Sequence, residues 1–128
     1  SAAERALPRP LYWSGKQAME WPERDYRLVS EDMHLGTGFE VLHCPGHAPG
    51  QLAFMVQLPQ TGWVLLTSDA ISRASEIDEK FAGSWDVDQA IHHGDRLMAL
   101  AAERDAFVIY GHSPEQWPDL KKAPQWFE

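Results

Sequence analysis

The chain has 128 residues, 44% hydrophobic and 23% charged, which fits one globular domain and excludes a disordered one. Its net charge of −8, with no Lys/Arg-rich run, argues against nucleic acid as a partner, because a polyanion would be repelled. No apolar stretch approaches the ~20 residues that span a bilayer, so no membrane-spanning helix is expected. The single cysteine, Cys44, excludes an internal disulfide and fits a reducing, cytoplasmic compartment. The first residues, Ser1 to Arg5, lack the apolar core of a signal peptide and are compatible with a cut end or a cloning scar.

Residues 1–25 are rich in proline and aromatic residues and show little periodicity, which predicts an irregular segment with a short helix around Gln17–Trp21. Tyr26–Ser30 and Phe39–His43 are β-prone, separated by a polar, glycine-bearing stretch, Glu31 to Gly38, that reads as a turn. Gln51–Leu58 and Trp63–Thr67 form a second pair, joined hairpin-fashion by Pro59-Gln60-Thr61-Gly62. Leu52, Phe54 and Val56 face one way and Ala53, Met55 and Gln57 the other. The continuous apolar run from Trp63 to Leu66 reads as a strand covered on both faces. Asp86–Arg104 is the clearest helix, with Val87, Ala90, Ile91, Leu97, Met98 and Ala101 in one stripe and Ser84 or Asp86 available as its cap. Ala106–Tyr110 is a further buried strand, and Pro118–Glu128 a tail. The order β-β-β-β-α-β predicts a sheet covered by helix on one side.

Three residues of metal-ligand type follow three of these strands: His47 after Phe39–His43, Asp69 after Trp63–Thr67, and His112 after Ala106–Tyr110. Loops at the ends of strands are held by the sheet and commonly carry chemistry. Glycine and proline flank His47 and His112, and such backbones make tight, fixed turns of the kind a metal needs in its ligands.

As a set, these residues resemble the C-terminal half of the metallo-β-lactamase fold. Val41–Gln51 is similar to the loop bearing that family's third zinc-binding histidine, and Trp63–Ala70 to the strand and loop that supply its metal-bridging aspartate. Tyr110–Trp117 is similar to its closing histidine motif and most resembles the quorum-quenching N-acyl homoserine lactonase branch. The resemblance implies an α/β (α+β) fold, half of an αββα sandwich, with a mostly antiparallel or mixed sheet and a covering helix. It divides the chain into an irregular segment over 1–25, a half-domain over 26–117 and a tail over 118–128. It further implies a zinc hydrolase with two ions, His47 on one, His112 on the other and Asp69 between them. A hydroxide bridging the ions would open a lactone or ester.

The family's histidine-rich N-terminal motif, histidine-any-histidine-any-aspartate-histidine, occurs nowhere in this chain. A catalytic zinc generally takes three protein ligands, so the resemblance implies a site completed by residues outside these 128 or by another chain. Ser68 stands where the family commonly has glycine, Ser113 where aspartate often follows, and Gln51 where histidine is frequent. Ser72 stands where lactonases often place a tyrosine on the substrate carbonyl, and its hydroxyl reaches less far. Of the six tryptophans, Trp85 and Trp117 are expected near substrate and the others in packing.

Cys44 is read as a packed loop thiol, His34 and His43 as turn and strand residues, His92 and His93 as lying on or near a solvated helix face, and Glu76, Asp78 and Glu79 as a solvated loop. Two other functions fit the same residues: a glyoxalase II-like thioester hydrolase, or a non-catalytic half-fold that binds a partner. An uncovered apolar sheet face would make the chain a homo-oligomer or dependent on the other half of the fold.

Overall fold

The computed structural model describes residues 27–128, so the expected N-terminal segment, with Trp13 and Trp21, lies outside the described residues. Five strands form one sheet in chain order: β1 Met33–Gly36, β2 Phe39–His43, β3 Leu52–Leu58, β4 Gly62–Leu66 and β5 Phe107–Ile109. Strands β1 to β4 pair antiparallel, and β5 lies parallel to β4. A parallel pair cannot be closed by a hairpin and needs a crossover. The crossover is supplied by α1, Ser75–Asp78, and the long α2, Val87–Glu103. No helix among the described residues is long and apolar enough to cross a membrane.

Strand alternation sets the core. The register pairs Leu42 with Ala53, Met55 with Leu65, and Leu65 with Val108, which places them on one face. Helix α2 lays Ala90, Leu97 and Ala101 on that face, and Ile71 and Phe81 from the crossover close the cluster. Ile91 and Met98 pack beside it as the helical period predicts, but Val87 is exposed. Gly94 is small because the Phe81 ring sits where its side chain would be. Asp86 rather than Ser84 caps α2, its Oδ1 accepting from the Gln89 N–H at 3.0 Å. Hydrogen bonds from the Gln89 backbone and side chain hold the Asp86 carboxyl below its ordinary pKa.

The first strand is displaced from its expected position. No strand forms over 27–30; β1 lies inside the stretch that reads as a turn. Met-His-Leu-Gly has little intrinsic β preference, and only Met33 is partly buried. What makes it a strand is its partner: Met33 pairs with Val41 and His34 with Glu40, and Thr37-Gly38 turns the chain with Gly38 at φ 73°. His34 is therefore an exposed strand residue, with Nδ1 3.7 Å from Glu40. The continuous burial expected of the fourth and fifth strands is also incomplete, since Leu66 and Phe107 are exposed on the face away from α2. Phe127 of the tail packs against Phe107, with ring centres 5.5 Å apart.

Leu97 is fully buried between α2 and the sheet. Leu97→Ala is expected to cost about 2–5 kcal/mol through lost burial and the cavity left behind, read as a lower urea midpoint with an unchanged slope.

Candidate metal centre

Strands β2 and β4 both run antiparallel to β3, and β5 runs parallel to β4, so the loops after β2, β4 and β5 leave from one edge of the sheet. These loops carry His47, Asp69 and His112.

The β4 and β5 loops are tied together through Thr67, a buried residue that the sequence marked only as the end of a strand. Its N–H donates to the Ile109 carbonyl at 3.0 Å, carrying the ladder one residue past β4. Its hydroxyl donates to the Ile71 carbonyl at 2.7 Å, folding the following turn back on itself. Ser68 then takes φ 52°, a left-handed conformation that costs a non-glycine residue roughly 1–2 kcal/mol. A glycine would take that conformation without the penalty. Asp69 follows in a 3-10 turn, Ser68–Ala70.

On the neighbouring loop, Gly111 has no side chain because the Ser68 carbonyl lies against it. The Gly111 N–H donates to Ile71 O at 3.3 Å and the His112 N–H to Ser72 O at 2.9 Å. The result is that His112 Nε2 meets Asp69 Oδ1 at 2.7 Å. The pair is open to solvent, with side chains 71% and 39% exposed, so an incoming molecule or polypeptide can reach it.

Ser72 is itself fixed, its N–H donating to Glu76 Oε2 at 2.6 Å. Glu76 thus has a partner and is not merely solvated. After His112, the Gln116 amide turns back onto β5: Tyr110 N–H donates to Oε1 at 3.0 Å and Nε2 donates to Val108 O at 2.6 Å. Ser113 Oγ accepts from the Gln116 N–H at 3.2 Å, a local turn role. Trp117 is exposed, with the Lys122 ammonium 5.2 Å from its ring centre.

The His47 loop is shaped by the start of α2. Gly46 O accepts from Asp86 N–H at 2.9 Å, and His47 O from Trp85 N–H at 3.3 Å. A Cβ on Gly46 would come within 2.5 Å of the Ala90 backbone, so the loop lies directly on the helix. Cys44 is buried beneath it, 3.6 Å from the Gln51 carbonyl, and burial pushes its thiol up to about 12. The Gln51 side chain donates locally to Leu52 O.

Among the described residues, no group of three or more His, Cys, Asp or Glu side chains is placed to hold a metal ion. Asp69 and His112 form a pair rather than a triad. In kind, an imidazole nitrogen and a carboxylate oxygen fit zinc; in number, they are short of the three donors a catalytic zinc takes. His93, on α2, is half-buried; burial and then Arg96 lower its pKa, and its Nδ1 finds no hydrogen-bond partner among the described residues. The solvated reading holds for His92, which is exposed.

No protein-family model matches the chain. Curated relatives do. The chain is 36% identical over 109 residues to the N-acyl homoserine lactonase AttM of Azorhizobium caulinodans, covering 81% of this chain and 39% of the relative. It is 34% identical over 116 residues to AttM of Agrobacterium fabrum, covering 87% and 41%. Its fold matches that of an N-acyl homoserine lactone hydrolase solved with N-hexanoyl-L-homoserine at the catalytic metal centre, with a TM-score of 0.78 and 26% identity. That match covers 88% of this chain and 45% of the other. AidC, a dizinc quorum-quenching lactonase, shares the fold at a TM-score of 0.55 and 23% identity. The mixed sheet with one covering helix is thus a fold shared with these lactonases. The chain spans less than half the length of the curated relatives it matches.

Two outcomes are expected. Gly111→Ala should destabilise the chain by about 1–3 kcal/mol as the Ser68 turn is pushed aside, measured by urea unfolding, and should shift the His112 ring resonances. At pH 8, Cys44 should react with a thiol reagent on the order of 1000-fold more slowly in the folded than in the unfolded chain, given a pKa of about 12 against 9.0.

Proposed function

We propose, from the kinship of this chain with the N-acyl homoserine lactonases, that it contributes Asp69, His112 and His47 to a two-zinc site that opens lactone rings. The remaining donors come from polypeptide outside these 128 residues, in the same protein or in a second chain. The observation that carries the reading is the 2.7 Å meeting of His112 Nε2 and Asp69 Oδ1 at an open sheet edge. When bound, zinc supplies Lewis acidity and draws the pKa of water toward neutrality.

The chain's own residues hold and orient. Asp69 presents a carboxylate whose position is set by Thr67 and the Ser68 turn. His112 offers Nε2 from a loop anchored through Ser72 and Gln116. His112 Nε2 and Asp69 Oδ1 already lie 2.7 Å apart, and a metal would take the imidazole through a nitrogen that carries no proton. Ser72 Oγ belongs to the same turn and is our candidate contact for the substrate carbonyl. Trp85 and Trp117 each sit one backbone hydrogen bond from a ligand-bearing loop, and both are exposed. Their faces suit the acyl chain of a homoserine lactone. The free thiol of Cys44 is in keeping with a cytoplasmic protein.

The test is Asp69→Ala in the intact protein, with zinc content and hydrolysis of an N-acyl homoserine lactone measured against a glutathione thioester. Both zinc content and lactone turnover should fall by more than the ~10–100-fold typical of losing a group that only supports a ligand. Unchanged zinc and turnover would overturn the assignment, and faster thioester than lactone cleavage by the unsubstituted protein would move it to the glyoxalase II-like reaction.

A further inference from the structure

The loop that bears His47 leaves β2 at His43, two residues beyond Val41, the partner of the first β1 residue, Met33. The backbone groups of His43 that point away from β3 have no strand to pair with. Two side chains take its place: His43 N–H donates to Asp32 Oδ1 at 2.8 Å, and Arg96 Nη2 donates to His43 O at 2.8 Å. The two side chains also bind each other, with Arg96 Nη1 2.5 Å from Asp32 Oδ2 and Nη2 3.4 Å from Oδ1. One guanidinium, one carboxylate and the backbone N–H and C=O of His43 thus form a closed ring of bonds. Asp32 and His43 are 11 residues apart, and Arg96 is 53 residues beyond His43.

Helix α2 therefore grips this loop at two levels. Its cap residue Asp86 and the preceding Trp85 hold Gly46 and His47 by their carbonyls, and Arg96, about 15 Å further along the helix, holds the stem at His43. We propose that Asp32 and Arg96 are positioning residues for His47, setting the conformation of the loop from Cys44 to Gly50 without touching metal or substrate. The inference rests on the reading of His47 as a ligand. Arg96 and Asp32 are 32% and 45% exposed, and ion pairs that open to solvent add little to global stability. The value of this pair lies in its geometry. Arginine's planar fork serves two acceptors at once, which a lysine ammonium on a flexible stem cannot reproduce.

The experiment compares Arg96→Ala, Arg96→Lys, Asp32→Asn and, as control, His47→Ala. Amide hydrogen exchange over residues 44–50 is read on the intact protein stripped of metal, zinc affinity on the same intact protein by competition with a chelator, and global stability by urea. Both Arg96 variants should speed exchange selectively in that loop and weaken zinc binding about 10–100-fold, with the urea midpoint little changed. Asp32→Asn, which keeps the acceptor for His43 N–H, should do less. Loop exchange that stays at the unsubstituted rate in Arg96→Ala, or full rescue by lysine, overturns the clamp. A loss of zinc affinity in His47→Ala but not in Arg96→Ala overturns it alone and leaves the ligand reading standing. His47→Ala with undiminished zinc affinity overturns the ligand reading, and the positioning role with it.

Discussion

The parallel pairing of β4 and β5 is the constraint on which the rest of the structure depends. Val64, Leu65 and Leu66 lie beside Phe107, Val108 and Ile109 in the same direction, and no short turn can make that pairing. The chain must leave the sheet, cross one face and return. The crossover helix covers the core, and its hand and length fix which face is covered. The same pairing places the exits of β4 and β5 side by side, so that Asp69 and His112 can meet although more than forty residues separate them in the chain.

Stability and function are thereby separated in space. The centre of the sheet, around Met55, Leu65 and Leu97, is fully buried and regular. The edge that carries the candidate ligands departs from regularity. Ser68 is left-handed, Gly111 and Gly46 are pressed against neighbouring backbone, and buried Thr67 spends its hydroxyl on a carbonyl. Strain of this kind persists only where surrounding bonds over-determine it. Here the ladder extension at Thr67 and the contact of the His47 loop with α2 supply those bonds.

Much of the frame was legible in the sequence, because β3 and α2 carry a hydrophobic period that matches their structure, and β2 and β4 are short β-prone runs. β1 was not: Met33–Gly36 has no such period and is a strand only by virtue of its neighbour. The positions of His47, Asp69 and His112 at strand ends could be read from chain order, but the contact between Asp69 and His112 depends on a register that no local pattern encodes. Thr67 offered one weak signal, a β-branched polar residue at the end of an apolar run. Asp32, Arg96 and Gln116 offered none, since each acts through partners set by the fold. The resemblance of the chain to the lactonases is shared by the comparisons in sequence and fold.

The Gln116 amide has one more consequence. Val108 C=O and Tyr110 N–H lie on the outer rim of β5, where a strand from another chain would otherwise attach. The glutamine side chain satisfies both, as the N–H and C=O of one residue in a parallel sixth strand would. To do so it must arrive in register, with the five residues Gly111 to Glu115 between it and Tyr110. Inserting or deleting one residue there would slide the amide off its partners and open the rim to aggregation. The corner of the molecule that holds His112 is thus constrained in length as well as at Gly111 and His112.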